Sequence, residues 1–351
     1  MTVAASPLSV PLSRRGFGRA LAGAALLAGT TPLRAADRTA LRFTLDWRFE
    51  GPAALFLSAL DKGYFAAEGL DVTIEQGTGS RETVARVATG GFDAGFGDVT
   101  TLIRARDDNP ASAPRAVMMV YDRAPFAIVG RRSRGITENP RSLEGKILGA
   151  PAADGAFAQW PAFRTLNRID EAKIKFLNIG FPVREPMLAS GEVDAAFGYA
   201  HSAYLTLKAR GVPADDIVLL EMADHGLLAY GNAVMVSPKL LAANPEAVKA
   251  LLRALTRGIR DAVAAPTEAL QAVLSRNTAA KPELEAERLQ MVIARNLLTP
   301  WVKANGLGGI DTVRWQGMLD QIADAAPLKD RAKAAEAFAA GYLPAEAERL
   351  F

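Results

Sequence analysis

"GGFDAGFGD", Gly90 to Asp98, returns 101 residues later as "GEVDAAFGY", Gly191 to Tyr199. One ungapped register matches Gly90 with Gly191, Asp93 with Asp194, Ala94 with Ala195, Phe96 with Phe197 and Gly97 with Gly198; Gly79 and Gly180 keep the same offset. Each copy reads as a helix-to-strand corner. The glycines end a helix, the aspartate serves as a turn or cap group, and the phenylalanine enters a core. A corner used twice at this separation predicts two similar lobes.

The pattern around each copy supports that reading. Upstream of the first, "LRFTLDW" reads as a strand ending at Asp46 and Trp47, and "GPAALFLSALDKGYFAAEG" as a helix opened by Pro52 and punctuated by Gly63 and Gly69. "LDVTIEQ" is the next strand. The loop Gly77-Thr78-Gly79-Ser80 leads into "RETVARVATGG" with Ser80 as N-cap, and Asp98 caps "VTTLIRARDD". The order then recurs: strand, glycine-bearing loop and helix in "KILGAPAADGAFAQWPAFRTLNRI", strand in "IKFLNIGF", helix in "PVREPMLASGE", and the short strand "VDAAFGY". Strands alternating with helices at this spacing predict mostly parallel α/β sheets.

Two β-rich stretches flank the second lobe, "PFAIVGRR" (Pro125 to Arg132) and "GNAVMVSP" (Gly231 to Pro238), and would form a double hinge. In "PEAVKALLRALTRGIRDAV" the residues Val248, Leu251, Leu252, Leu255, Ile259 and Val263 share one helical face, which predicts packing back on the first lobe. The expected division is residues 37–124 and 232–351 in lobe one and 125–231 in lobe two.

The first 36 residues read as an export signal. They carry Arg14, Arg15, Arg19 and Arg34 and no acid, so without them the formal charge of +3 falls to −1. A nucleic-acid partner predicted from a basic pI therefore fails. Ser13-Arg14-Arg15-Gly16-Phe17 resembles the twin-arginine type, though Gly18 stands where a bulky apolar residue is common; a Sec signal is the alternative. The apolar run Ala20 to Gly29 is about half of the roughly 20 residues a spanning helix needs. A soluble periplasmic protein is expected.

Enzyme signatures are thin. The chain has no cysteine and two histidines, His201 and His225, read as surface or hydrogen-bonded groups. It shows no HExxH, no GxSxG and no P-loop. No catalytic residue, metal site or cofactor is expected.

A ligand cleft is better supported, because open α/β sheets bind small molecules beyond the carboxyl ends of their strands. The loops placed there are Trp47 to Gly51, Gly77 to Ser80, Asp98 to Thr101, Tyr121 to Ala124, Ala150 to Trp160, Gly180 to Glu185, Gly198 to Tyr204 and Ala229 to Asn232. They gather Trp47, Phe49, Tyr121, Phe157, Trp160, Phe181, Tyr199, Tyr204 and Tyr230 in a chain that is 7% aromatic. That clustering suits a flat ligand held by stacking. Trp47 and Tyr199 are expected to pack on the ligand, with Phe49, Tyr121, Phe157, Phe181 and Tyr230 completing the lining. Ser80, Asp98 and Asp154 are expected to bond its polar edge, with Gly79 and Thr100 beside them. Arg184 is the candidate for gripping an anionic group, unless Glu185, Glu82 or Asp98 neutralises it.

The tract "LDWRFEGPAALFLSALDKGYFAAEGLDVTI", Leu45 to Ile74, with "GTGSRETVARVATGGFDAGFGDVTTLI" after it, resembles the periplasmic substrate-binding proteins of ABC importers. The alkanesulfonate, nitrate, taurine and thiamine-pyrimidine-precursor binders are the group it is most similar to. The resemblance implies a type II periplasmic-binding fold: two α/β lobes, two crossing strands and a ligand clamped between them by hinge closure. It also implies a monomer that delivers a small-molecule solute to a membrane permease and its ATPase. The solute ranked first is aromatic or heteroaromatic, a pyrimidine or an organic acid; a sulfonate, taurine or nitrate ranks second. Arg48-Phe49-Glu50-Gly51 departs from the polar, asparagine-containing run of the pyrimidine-precursor binders. A fungal branch makes the thiamine pyrimidine enzymatically with a cysteine-rich motif and histidines, a pattern this cysteine-free chain does not carry; a periplasmic-fold enzyme of pyrimidine or cofactor synthesis is the alternative to a binding protein.

Overall fold

Among the described residues, ten strands build two five-stranded sheets of the same design. The structure is a computed structural model and describes residues 38–351 together with Met1 and Thr2; the expected signal at residues 1–36 lies outside the described residues, Met1 and Thr2 apart. The strands are β1 Thr39–Thr44, β2 Leu70–Glu75, β3 Ala94–Asp98, β4 Arg115–Met119, β5 Phe126–Arg131, β6 Ile147–Ala150, β7 Lys175–Asn178, β8 Ala195–Tyr199, β9 Ile217–Glu221 and β10 Asn232–Val236. The first sheet runs β2-β1-β3-β10-β4 and the second β7-β6-β8-β5-β9. In each, three parallel strands are followed by one antiparallel strand contributed from across the molecule's two connections: β10 lies against β3, and β5 against β8. β3 is buried along its whole length, as expected for a sheet covered on both faces.

The helices that matter here are α1 Ala54–Asp61, α2 Tyr64–Ala67, α3 Ser80–Ala88, α4 Val99–Asp108, α5 Gly155–Ala158, α6 Trp160–Leu166, α7 Phe181–Ser190, α8 Ala200–Ala209, α9 Pro238–Ala243 and α10 Pro245–Ala264. The single helix expected after Pro52 is broken, with a short 3-10 turn at Gly51–Ala53 and a stop at Gly63 between α1 and α2. α10 packs on α1, its buried stripe of Val248, Leu251, Leu252, Leu255 and Ile259 joining the core of the first sheet. No helix among the described residues is long and apolar enough to cross a membrane.

The doubled corner has one cause in both places. The Arg42 amide donates to the Asp93 carboxylate at 2.8 Å while the Asp93 amide donates to the Arg42 carbonyl at 3.0 Å. In the second copy the Ile147 amide donates to the Asp194 carboxylate at 2.9 Å and the Asp194 amide to the Ile147 carbonyl at 2.8 Å. The aspartates are neither helix caps nor turn residues. Each continues a parallel ladder past its last backbone pair and so fixes where β3 and β8 start beside β1 and β6.

Candidate functional site

Segments following β1, β2, β4, β6, β7 and β8, with Phe96 of β3, enclose a cleft of about 60 Å³ between the two sheets. The first-sheet wall is Leu45 to Arg48, Glu50, Pro52, Ala53, Phe56, Gly79, Ser80, Phe96 and Tyr121. The opposite wall is Asp154, Gly155, Phe181, Arg184, Tyr199, His201 and Ser202. Contacts cross from wall to wall. The Trp47 and Phe181 rings meet edge to face at 4.9 Å, the Ser80 and Tyr199 hydroxyls lie 3.1 Å apart, and Ser202 donates to Glu50 at 2.7 Å. The lobes therefore stand closed on each other.

Asp46 is the chemical centre of the first wall. It follows β1 and is held from both ends: the Gly79 amide donates to its carbonyl at 2.7 Å, and Asn232 Nδ2 donates to its Oδ2 at 2.6 Å. The Gly79 bond needs a backbone turn at φ 119°, a region that favours glycine. That turn puts Gly79 at the helix cap, so Ser80 is the first residue of α3 instead of the N-cap expected for it. The Ser80 hydroxyl is free for other work. It accepts the Asp98 amide at 3.0 Å and reaches Asp46 Oδ2 at 3.4 Å. Asp46 has no cation within ion-pair distance among the described residues, and its Oδ1 takes no protein hydrogen bond. Burial raises its pKa to about 7, against the lowering effect of Asn232, its own backbone, Tyr199 and Ser80.

Glu50 anchors the loop after β1. It accepts Trp47 Nε1 at 3.2 Å and lies 3.4 Å from the Arg288 guanidinium, while Glu285 accepts the Gly51 amide at 2.6 Å. Trp47 is thereby fixed in orientation before any ligand arrives.

Arg184 lines the cleft but is already engaged. Its guanidinium pairs with Asp154 at 3.0 Å and with Glu185 at 2.6 Å, and all three side chains are buried. It lies flat over β8 at Gly198, where a Cβ would stand 2.9 Å from its Nη1. Burial lowers its pKa, but Glu185 and Asp154 outweigh that and raise it overall. The expectation that Arg184 grips an anionic ligand is corrected on this point: two carboxylates occupy its donors, and Glu185 is the neutralising partner.

His201 also departs from expectation. It is buried, neither at the surface nor hydrogen-bonded at Nδ1, which has no partner. Burial, with Arg288 and Arg184 nearby, pushes its pKa down to about 3, so the imidazole is neutral. It packs edge-on to Tyr199 and Tyr121, with centroids 5.9 and 6.4 Å away.

Of the residues expected from sequence, Trp47, Gly79, Ser80, Tyr121, Asp154, Phe181, Arg184 and Tyr199 line the cleft. Phe49, Asp98, Thr100, Phe157 and Tyr230 do not. Phe49 packs against the core of the first sheet, with its amide bonded to Gln76 and its carbonyl to Asn277. Asp98 caps α4 through the amides of Thr100 and Thr101 at 2.9 and 2.8 Å, with burial raising its pKa to about 6. Thr100 is buried and its hydroxyl has no partner. Phe157 packs on Phe197 at 5.0 Å and Phe176 at 5.9 Å. Tyr230 is fully buried, accepts the Asp311 amide at 2.8 Å and carries the Arg314 guanidinium 4.0 Å above its ring. Asp46, Glu50, His201, Ser202 and Asn232 were missed. All except Asp46 sit in or at the edge of the loops singled out, and Asp46 precedes one by a single residue; the emphasis on aromatic rings passed over their polar neighbours. Among the described residues no three His, Asp or Glu side chains group as a metal site.

Two α/β sheets of one topology around an aromatic cleft define the periplasmic binding-protein class. The fold is similar to that of the periplasmic aliphatic sulphonate binding protein SsuA from Escherichia coli, with a TM-score of 0.66 at 9% identity over 86% of this chain and 92% of that one. The NMT1/THI5-like family profile matches residues 53–269, and the chain belongs to that family. Relatives include the riboflavin-binding protein RibY of Chloroflexus aurantiacus, 28% identical over 83% of this chain and 82% of its own length. The formylaminopyrimidine-binding protein of Halalkalibacterium halodurans is 27% identical over 78% and 82%. A 4-amino-5-hydroxymethyl-2-methylpyrimidine phosphate synthase of Aspergillus parasiticus is 24% identical over 66% and 69%.

Proposed function

We propose that the protein is an extracytoplasmic receptor that closes over a small, uncharged or cationic heteroaromatic solute and delivers it to an ABC permease and its ATPase, acting as a monomer and turning nothing over. The observation that carries this reading is Asp46: a buried carboxyl without a cation, bonded to Asn232 and open to an aromatic cleft. With a pKa near 7 it can donate one hydrogen bond and accept another. That pattern matches the ring nitrogen and exocyclic amine of an aminopyrimidine; ionised, it pairs with a protonated ring. Trp47, Phe181, Tyr121 and Phe96 supply ring contacts.

Charge argues against the sulfonate, taurine, nitrate and organic-acid readings. Asp46, Glu50 and Asp154 face the cleft and Arg184 is spent on Asp154 and Glu185, so the one unpaired guanidinium an entering anion meets among the lining residues is the exposed Arg48, which lies over the Trp47 ring. The relative named for formylaminopyrimidine supports a single-ring solute more than the one named for riboflavin does. A cleft of about 60 Å³, at about 10–15 Å³ per water position, displaces only a handful of waters. Export is supported by the arginine-bearing leader, and a receptor role over the synthase role by the absence of cysteine from the chain.

Thermal shift against aminopyrimidines, riboflavin, taurine, alkanesulfonates and nitrate tests the reading. A ligand at 100 times its dissociation constant adds about 2.7 kcal/mol. Stabilisation by an aminopyrimidine that is recovered unchanged, and its loss in Asp46→Ala, is the expected result. Stabilisation by the anions alone would remove it, and a chemically altered hit would restore the enzyme reading.

A further inference from the structure

Behind Asp154 the two walls part again into a second groove of about 470 Å³, which shares only Asp154 with the lining of the cleft. Its lobe-one side presents Arg81 at the start of α3 and Arg104 on α4; its other side presents Phe157, Trp160 and Pro161. Asp154 lines both the groove and the cleft, so the two spaces adjoin at that residue.

The polar inventory of the groove is one-sided. Arg81 is exposed and has neither an ion pair nor a hydrogen bond among the described residues. Arg104 makes one bond, from Nη2 to the Ile322 carbonyl at 2.7 Å, and no ion pair; its neighbour Asp107 is bonded to the Lys329 and Asp330 amides, and Asp108 to Lys329. Trp160 is 3% exposed, yet its indole N–H has no acceptor. A buried donor left unpaired is costly and uncommon. The two carboxylates of the groove are taken, Asp154 by Arg184 at 3.0 Å and Glu171 by Arg164 at 2.7 Å. The whole Arg81 fork and the remaining donors of Arg104 are left facing the groove, with no free carboxylate among its lining; the Trp160 N–H is shut off from solvent and does not reach it. The Thr101 hydroxyl is already given to Asp98 at 2.6 Å.

We infer that this groove is a second binding site, for a phosphate-like oxyanion. The anion comes either on a tail of the ring-bearing solute, passing Asp154 from the cleft, or as a separate ion. The contrast with the cleft is chemical: the cleft offers the unpaired Asp46 carboxyl with Arg48 at its exposed edge, the groove unpaired cations and no free carboxylate, so a solute with a basic or neutral ring and an acidic tail fits both. This goes beyond the ring-binding proposal, and either can fail alone.

Calorimetric titration of the full chain with inorganic phosphate, pyrophosphate, riboflavin and riboflavin 5′-phosphate tests it, with 4-amino-5-hydroxymethyl-2-methylpyrimidine and its phosphate as a second pair. Phosphate or pyrophosphate is expected to bind, and R81Q/R104Q to weaken it roughly tenfold, the loss of a charge-assisted contact. R81Q alone, at an exposed position, is the variant that leaves folding untouched and should give part of that loss. A phosphorylated ring that binds more tightly than its parent, with the gain abolished in R81Q/R104Q, assigns the anion to a tail. Phosphate binding that is unchanged by saturation with the ring compound assigns it to a separate ion. Failure of phosphate, pyrophosphate and both phosphorylated rings to bind at millimolar concentration, or equal binding by wild type and R81Q/R104Q, overturns the site. Failure of the unphosphorylated rings alone bears on the cleft and leaves the groove standing.

Discussion

The first corner ends on Asp98 and the second on Tyr199, at matching places in two otherwise equivalent strands, and the two side chains turn in different directions. Asp98 serves its own lobe: it caps α4 through Thr100, Thr101 and the Thr101 hydroxyl. Tyr199 makes no side-chain cap for α8. Its hydroxyl crosses the cleft to Ser80 at 3.1 Å and donates to Asn232 at 3.0 Å. A second difference appears at Thr83 and Arg184, which share the 101-residue offset and each bond within their own lobe. Thr83 donates locally to the Leu45 carbonyl at 3.1 Å, whereas Arg184 knits α5, α7 and β8 into one charged wall. Duplicate backbones thus carry unlike tasks: at one pair of matching positions lobe one caps its own helix while lobe two reaches across the cleft, and at the other a single hydroxyl bond in lobe one faces a charged brace inside lobe two.

The sharpest test of that contrast is Arg184→Ala against Thr83→Val. Removing Arg184 leaves Asp154 and Glu185 buried without their cation, a situation that costs about 3–5 kcal/mol. Losing one buried hydroxyl bond at Thr83 costs about 1 kcal/mol. Urea unfolding of both variants should show that ratio. Similar losses at the two sites would mean that the Arg184 cluster is not the brace described.

A second test uses pH. Burial holds the folded pKa of Asp46 at about 7 against a usual 3.8, so between those values the folded state binds the extra proton. Its contribution is fully present below about pH 3.8, declines as pH rises, and is gone above about pH 7. His201 has the opposite sign: with a folded pKa of about 3 against 6.5, it adds stability as pH rises from 3 to 6.5. Asp46→Asn should therefore abolish a stability decline on the order of 1–4 kcal/mol between pH 4 and 7, leaving the His201 rise exposed. Melting temperature against pH for the two chains checks this; parallel curves would mean that Asp46 is ionised at neutral pH with a partner not recognised here.

The sequence made the two-lobe plan legible because the doubled corner is a backbone device. An aspartate that must continue a ladder, a phenylalanine that must enter a core and a glycine that must end a helix leave a fixed spacing. Site chemistry left a weaker trace. Asp46 looks like any strand-ending aspartate, and what makes it special is Asn232, 186 residues away in sequence. For Arg184 the adjacent Glu185 was legible as a partner, but Asp154 was not, since it lies 30 residues away on another element. His201 carries no sign of burial in its neighbours. Rings were easier: Trp47, Tyr121, Phe181 and Tyr199 reach the cleft, although Phe157 and Tyr230 show that a loop aromatic can equally fill a core.

The smallest expected effects separate closure from folding. Asp98→Asn keeps one acceptor of the buried cap but sets an amide NH2 against the other backbone donor, so it should cost about 1–3 kcal/mol of stability and leave ligand affinity unchanged. Tyr199→Phe keeps the ring beside Phe126 and His201 but deletes the hydroxyl that joins the walls. The Ser80 and Asn232 contacts join residues of the two walls, so opening the cleft is expected to break them and their loss to fall on the closed form. A net hydrogen bond of about 1 kcal/mol then appears as a roughly fivefold weaker ligand affinity. It should appear chiefly as faster dissociation, since reopening is what the bond opposes. Stopped-flow release of a bound ring from the two variants measures this. Equal release rates would place Tyr199 with Asp98, as a residue that serves its own lobe, and would end the division of labour drawn between the two corners.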